Sequence, residues 1–219
     1  MIQKIVEKIA RYIRMYGFLN TINRIIKSVI KKITGITYED VYVLSRKANI
    51  LNYNIPQDVI IRELKLSDLQ NDDWRREFLS KEKYDDYKRR FSNNSIKGYG
   101  LFKYGQLASI GWILRGKVIF RGDVILYSGM VSMLYDQYTL KKFRGGQFHQ
   151  LLIKHCINDI YNFNKIYATN HTVYVLVLDY NKPSLKNQIR CGFTVEKKLR
   201  FKHYKTGTWT VSTQFRALK

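Results

Sequence analysis

The chain has 219 residues, 45% of them hydrophobic, which suits one domain with a buried core and a short appendage. Its net charge of +22 favours phosphate-rich partners, without choosing among nucleic acid, anionic lipid and phosphorylated small molecules. Cys156 and Cys191 form no CxxC pair, and His149, His155, His171 and His203 lack metal-ligand spacing, so no metal and a reduced, intracellular protein are expected.

The N-terminus separates from the rest by composition. Ile2, Ile5, Val6, Ile9, Ile13 and Tyr16 recur at helical spacing; after Gly17 follow Phe18, Ile22, Ile25, Ile26, Val29, Ile30 and Ile33. Lys4, Lys8, Arg11, Arg14, Arg24, Lys27, Lys31 and Lys32 fill much of the remaining circumference, against the single acid Glu7. The spacing predicts a basic amphipathic helix pair over residues 1–34. Such a pair suits an anionic membrane surface, and equally packing on the rest of the chain or on a second copy. Charges interrupt any signal-peptide core, and no run of about 18 uncharged apolar residues offers a spanning helix. The expected location is cytoplasmic, peripheral at the inner face of the membrane.

Residues 35–58 read as a connecting segment with a short strand around Val41 to Leu44, and a boundary falls near residue 55. The domain at 59–219 opens with the strand "VIIREL". Ser67 and Asp68 then cap one or two helices running to Phe91. "GYGLFKYG" and "LASIGWILRG" read as strands around a tight turn at Gly105 and Gln106, and "MVSMLYDQYTL" as a longer strand.

That strand runs into "KKFRGGQFHQLL". Gly145 and Gly146 lead directly into an amphipathic helix ending near Phe163. A helix N-terminus offers about four unpaired N–H groups and the positive end of the dipole. Glycines keep side chains away from an anion docking there, while Lys141, Lys142 and Arg144 add charge. A turn with close helix–strand packing accounts for one glycine as well. His149 and His155, six residues apart, share no helical face well and are expected at the surface. "TVYVLVL" reads as a strand covered on both faces, residues 183–190 as a short helix begun by Pro183, and the chain closes with two strands around Gly207. The order of elements is mixed α/β.

"TLKKFRGGQFHQLL" resembles the acetyl-coenzyme A loop of the GNAT superfamily of N-acetyltransferases, and "NKPSLKNQIRCGF" is similar to its later motif through Asn181, Ser184, Gly192 and Phe193. The resemblance covers about residues 59–219. It implies a mixed, mostly antiparallel sheet of six to seven strands flanked by helices, and transfer of an acetyl group from acetyl-coenzyme A to a primary amine. It also implies pyrophosphate binding by the backbone of Arg144, Gly145, Gly146, Gln147, Phe148 and His149. Main-chain pairing of the pantetheine arm falls to Tyr138, Thr139 and Leu140, with Asn181 and Ser184 on the far side. The family's third and last small loop positions hold Gln147 and His149, and its thiolate-protonating tyrosine is replaced by Gln188. Asp136 is the best-placed carboxylate for a base, with a structural acceptor role as the alternative, and Tyr138 is one substitute for the missing acid. The strand end with its basic extension resembles GNAT proteins of bacterial surface-polysaccharide synthesis, implying an amino-sugar acceptor, nucleotide- or lipid-linked. Two other readings stay open: a basic nucleic-acid-binding protein, since 17 tyrosines accompany the charge, and a GNAT fold without turnover kept for coenzyme sensing or scaffolding.

Overall fold

The computed structural model describes residues 33–122, 124–165, 171–204 and 207–216, together with the isolated positions Ile22, Ile26 and Val29. The first of the two N-terminal helices and most of the second lie outside the described residues; positions 22, 26, 29, 33 and 34 are helical.

Eight strands form one sheet: β1 (Thr37–Lys47), β2 (Val59–Glu63), β3 (Ile96–Lys103), β4 (Gln106–Phe120), β5 (Val124–Thr139), β6 (Thr172–Leu178), β7 (Thr194–His203) and β8 (Trp209–Arg216). Their order is β2-β3-β4-β5-β6-β1-β7-β8. Every neighbouring pair is antiparallel except β5 and β6. The helices are α1 (Asp72–Glu77), α2 (Lys81–Phe91), α3 (Phe148–Lys165) and α4 (Lys182–Arg190).

The segment expected to be a connector with a short strand is an 11-residue strand inside the sheet, between β6 and β7. A bulge between Val43 and Leu44 explains why its alternation is hard to read. Val41 and Val43 pack on one face of the sheet and Leu44 on the other, all three fully enclosed. The acid that makes this stretch look unlike a strand, Asp40, is buried and accepts from Arg200 Nε at 2.6 Å and NH2 at 3.0 Å, on the neighbouring strand β7.

Helix α3 covers one face of the sheet. Leu152, Ile153, Cys156, Ile157 and Ile160 recur along one side of it and meet Leu101, Ile113, Leu134, Val173 and Val175 from four strands. On the opposite face, α1 and α2 close over Leu107, Ile110 and Trp112, with Trp74 Nε1 donating to the Leu107 carbonyl at 2.9 Å. Of the one or two helices expected up to Phe91, two form, but they do not start at Ser67. Asp68 turns its carboxylate to Arg62 and the Lys65 N–H within a 3-10 turn at Leu66–Gln70, and the helix caps are Asn71 and Ser80. Away from α1 and α2, the outer β4–β5 hairpin folds back over the sheet, where Phe120 stacks on Phe201 at 3.8 Å and Tyr127 on Tyr174 at 4.4 Å.

The sheet parts between β5 and β6. These strands pair only from Val131 to Leu134, opposite Thr172 to Val175, yet β5 runs on to Thr139 and β6 to Leu178. A gap therefore opens at the C-terminal ends of two parallel central strands, where α3 and α4 begin.

Candidate active site

The gap begins at a bulge. Ile110 faces Tyr138 and Trp112 faces Tyr135, so Asp136 and Gln137 together oppose Gly111. Asp136 takes the left-handed conformation at φ = +47°, which turns the two side chains to opposite faces of the sheet.

On the α2 face, the Asp136 carboxylate accepts from Tyr87 OH at 2.8 Å and pairs with Lys83 Nζ at 3.1 Å and Arg90 NH1 at 3.0 Å. Burial and the neighbouring carboxylate push the Tyr87 hydroxyl far above its usual range, so it donates to Asp136 and does not ionise. Of the two roles the sequence offers Asp136, base or structural acceptor, the geometry favours the second: one hydrogen bond from Tyr87 and two flanking cations engage the carboxylate.

On the α3 face, Gln137 Oε1 accepts from the fully buried Gln188 through Nε2 at 2.7 Å and lies 3.2 Å from His149 Nε2. His149 Nδ1 is 3.3 Å from Asn187 Nδ2, so the imidazole accepts there and carries its proton on Nε2. Loss of hydration drives the His149 pKa down to about 4 and keeps the ring neutral. His155, the other histidine expected at the surface, is half-buried, bonded to Tyr53 OH at 3.0 Å and set edge-on to Tyr99.

A cleft of about 600 Å³ opens along this wall. It gathers Tyr138, Thr139, Arg144, Gly145, Gln147, Phe148, His149, Asn181 and Ser184, all expected from the sequence. It also gathers residues the sequence reading misses, chiefly Gln137, Phe143, Asn187 and Arg190. Two expected residues do not line it. Leu140 is buried with its N–H committed to the Ala108 carbonyl, and Gly146 is exposed outside the cleft, where an added Cβ would stand 2.7 Å from the Phe148 ring. Gly145, at φ = +94°, faces open space.

At the mouth, Gln147 caps α3 through its carbonyl, which accepts from the N–H groups of Gln150 and Leu151. Among the described residues, no protein acceptor meets the N–H groups of residues 145–149. Asn181 caps α4 by accepting from the Ser184 N–H at 3.3 Å. Arg144 reaches back to the Thr139 carbonyl at 3.2 Å and the Tyr138 hydroxyl at 3.2 Å. Tyr138 in turn donates to Glu77 at 2.8 Å and stacks on Phe78; burial and the Glu77 carboxylate push its pKa up to about 12.

The fold as a whole is similar to that of solved structures. The chain is similar to a putative acetyltransferase of the GNAT family from Novosphingobium aromaticivorans (11% identity, TM-score 0.52, 80% of this chain and 66% of that one). It is similar too to a GCN5-related N-acetyltransferase from Sphaerobacter thermophilus (9% identity, TM-score 0.53, 78% and 53%). A Drosophila protein superimposes over 85% of this chain and 57% of its own length, at 18% identity and TM-score 0.52. The fold is GNAT-like. The chain spans between half and two thirds of the length of these three neighbours. No family model and no curated protein sequence matches it.

In this GNAT-like frame the cleft lies along the free edge of β5 and ends at the bulge. One wall is the entry to α3 with Gly145, Gln147, Phe148 and His149, whose N–H groups meet no acceptor among the described residues, the other is the first turn of α4, and Arg144 and Arg190 stand at the rim. That arrangement suits a long ligand with phosphate at the mouth and a reactive end at the gap. Among the described residues there is no group of three or more potential metal ligands.

Proposed function

We propose that the protein transfers an acetyl group from acetyl-coenzyme A to a primary amine. The observation that carries this reading is the alignment of two features along one cleft. The backbone N–H groups of Gly145, Gln147, Phe148 and His149 meet no acceptor among the described residues, and the free edge of β5 leads from them to the parted strands. A pyrophosphate fits the first feature, because backbone donors at a helix start bind anions whatever side chains follow. Gln147 and His149 therefore do not spoil the cradle: Gln147 is exposed, and His149 is turned inward to Gln137. An extended pantetheine arm fits the second feature as an added strand, over Tyr138 and Thr139 only, since the Leu140 amide is already engaged.

The acceptor enters from the α2 side of the gap. Its nitrogen attacks the thioester carbonyl, the C–S bond breaks and the thiolate takes a proton. Asp136, which accepts from Tyr87 and faces Lys83 and Arg90, keeps a lone pair on Oδ1 for an incoming ammonium, so we assign it attraction and orientation of the acceptor. An amine of pKa near 8 then loses its proton at neutral pH for about 1 kcal/mol, against about 4–5 for a lysine-like amine. Tyr138, whose proton already points at Glu77, is a poor donor to the thiolate, and we assign it to support of the Arg144 side of the cleft. The acceptor we favour is an amino sugar carried on a nucleotide or lipid phosphate, which suits the +22 charge.

Calorimetric titration with acetyl-coenzyme A, with coenzyme A and with acetyl-coenzyme A on Gly145→Glu tests the reading. Native chain should bind both ligands, and the variant, which puts a carboxylate at the mouth, should bind at least tenfold more weakly. Absence of binding by the native chain overturns it.

A further inference from the structure

The cleft and the N-terminal helix meet at one end of the sheet. Strand β6 runs toward the cleft mouth, and β1 returns antiparallel beside it, with Val41 opposite Leu178. Residues 37–40 therefore extend past the end of β6, and the Asp179 N–H donates to the Asp40 carbonyl at 2.9 Å. Asp179 is two residues from Asn181, which lines the cleft. The chain immediately before β1 thus arrives at the end of the sheet where β5 and β6 part, the coenzyme cleft opening on the α3 side of that gap and the acceptor entering on its α2 side.

The described positions of that chain, 22, 26, 29, 33 and 34, are helical, and the four aliphatic residues among them are bare. Ile22, Ile26, Val29 and Ile33 fall at spacings of four, three and four, one side of a helix, and are 38%, 51%, 50% and 78% exposed. Over residues 22–34 the sequence supplies Arg24, Lys27, Lys31 and Lys32 and no acid. A bare aliphatic row accompanied only by cationic charges matches a surface offering acyl chains beneath anionic headgroups, whereas a second copy would bring the same cations against each other. Nucleic acid would take up the charge and leave four aliphatic side chains in water. Among the described residues, no helix is long and apolar enough to cross a membrane.

We infer that residues 22–33 dock the protein on an anionic lipid surface, with the cleft mouth turned toward the bilayer. The orientation of the mouth rests on the acyl-transfer reading and narrows it: the acceptor amine belongs to a molecule held at the membrane by a lipid.

The test uses the full chain and vesicles of phosphatidylcholine, with and without about a third of phosphatidylglycerol. Three proteins are compared by co-sedimentation: native, Ile26→Glu/Ile33→Glu, and Lys27→Gln/Lys31→Gln/Lys32→Gln. Native chain should bind anionic vesicles at least tenfold better than neutral ones, and each variant should lose at least tenfold. Both variants should keep native acetyl-coenzyme A binding and native thermal unfolding, so failure of the docking idea is distinguishable from failure of the activity. Retention of vesicle binding by the isoleucine variant would leave mere polyanion attraction and overturn the inference. So would a native dimer that the isoleucine variant converts to monomers, with no native binding to vesicles.

Discussion

Gln188 donates through Nε2 to Gln137 Oε1 at 2.7 Å, joining the last turn of α4 to the bulge at which β5 leaves β6. Because Gln188 has no exposed surface, the bond is made where water cannot replace it. Gln188→Ala should cost about 2–3 kcal/mol, from a lost buried amide and the space it leaves, read in a urea melt. Gln188→Tyr, which restores the residue the resemblance leads one to expect, should also destabilise, by about 1–3 kcal/mol, because a larger ring must enter a filled site. A Gln188→Tyr protein as stable as native would mean that the site has room to spare and that the clasp is incidental.

Asp136→Asn separates orientation from base catalysis. Asparagine keeps a carbonyl for Tyr87 but leaves Lys83 and Arg90, both largely buried, without their anion. The expected loss is about 2–4 kcal/mol of stability, with acetyl-coenzyme A affinity within twofold of native. On an amine of pKa near 8, turnover should fall by about tenfold, since only attraction and orientation are lost. A fall of about 10³-fold with unchanged stability would instead restore the role of general base.

His149 makes stability depend on pH with a defined sign. Its folded pKa is lowered to about 4 while the unfolded chain keeps about 6.5. Between those values the unfolded state binds a proton that the folded state refuses, so stability is full above about pH 6.5 and falls as pH drops toward 4. The loss is at most about 3 kcal/mol by linkage. His155 and His171, lowered for the same reason, add to the slope in the same direction. Urea melts at pH 7, 5.5 and 4.5 should therefore show a shallower fall for His149→Gln than for native protein. Parallel slopes would mean that the ring is hydrated and free to ionise.

The parts of this fold legible in the sequence are those whose chemistry is local. The apolar stripe of α3, the continuous run of β6, the proline at the start of α4 and the glycines at the cleft mouth each announce themselves within a dozen residues. What is not legible depends on partners far along the chain. Gln137 gives no signal until the bulge turns it toward His149 and Gln188, 12 and 51 residues on. The substitutions at 149 and 188 look like separate departures from a motif, yet both side chains meet the same oxygen. Asp136, by contrast, is legible as a carboxylate at the right place but not as an engaged one, because Lys83, Tyr87 and Arg90 lie on a helix some 50 residues earlier.

Strand β1 is read too short from the sequence, four residues of its eleven, and the pair that hides its start also holds it. Asp40 is 4% exposed and owes its place to Arg200, which grips both carboxylate oxygens from β7. Removing the cation alone takes a two-pronged ion pair from a buried anion, whereas removing both charges does not. Arg200→Leu should therefore cost about 3–5 kcal/mol, and Asp40→Asn/Arg200→Leu should recover at least half of that loss, since an amide is far cheaper to bury than a carboxylate. Hydrogen exchange supplies the local readout: in Arg200→Leu the amides of residues 37–47 should lose protection ahead of those in β3 and β4. Uniform loss across the sheet would show that β1 is held by its apolar residues alone and that the ion pair is dispensable to its insertion.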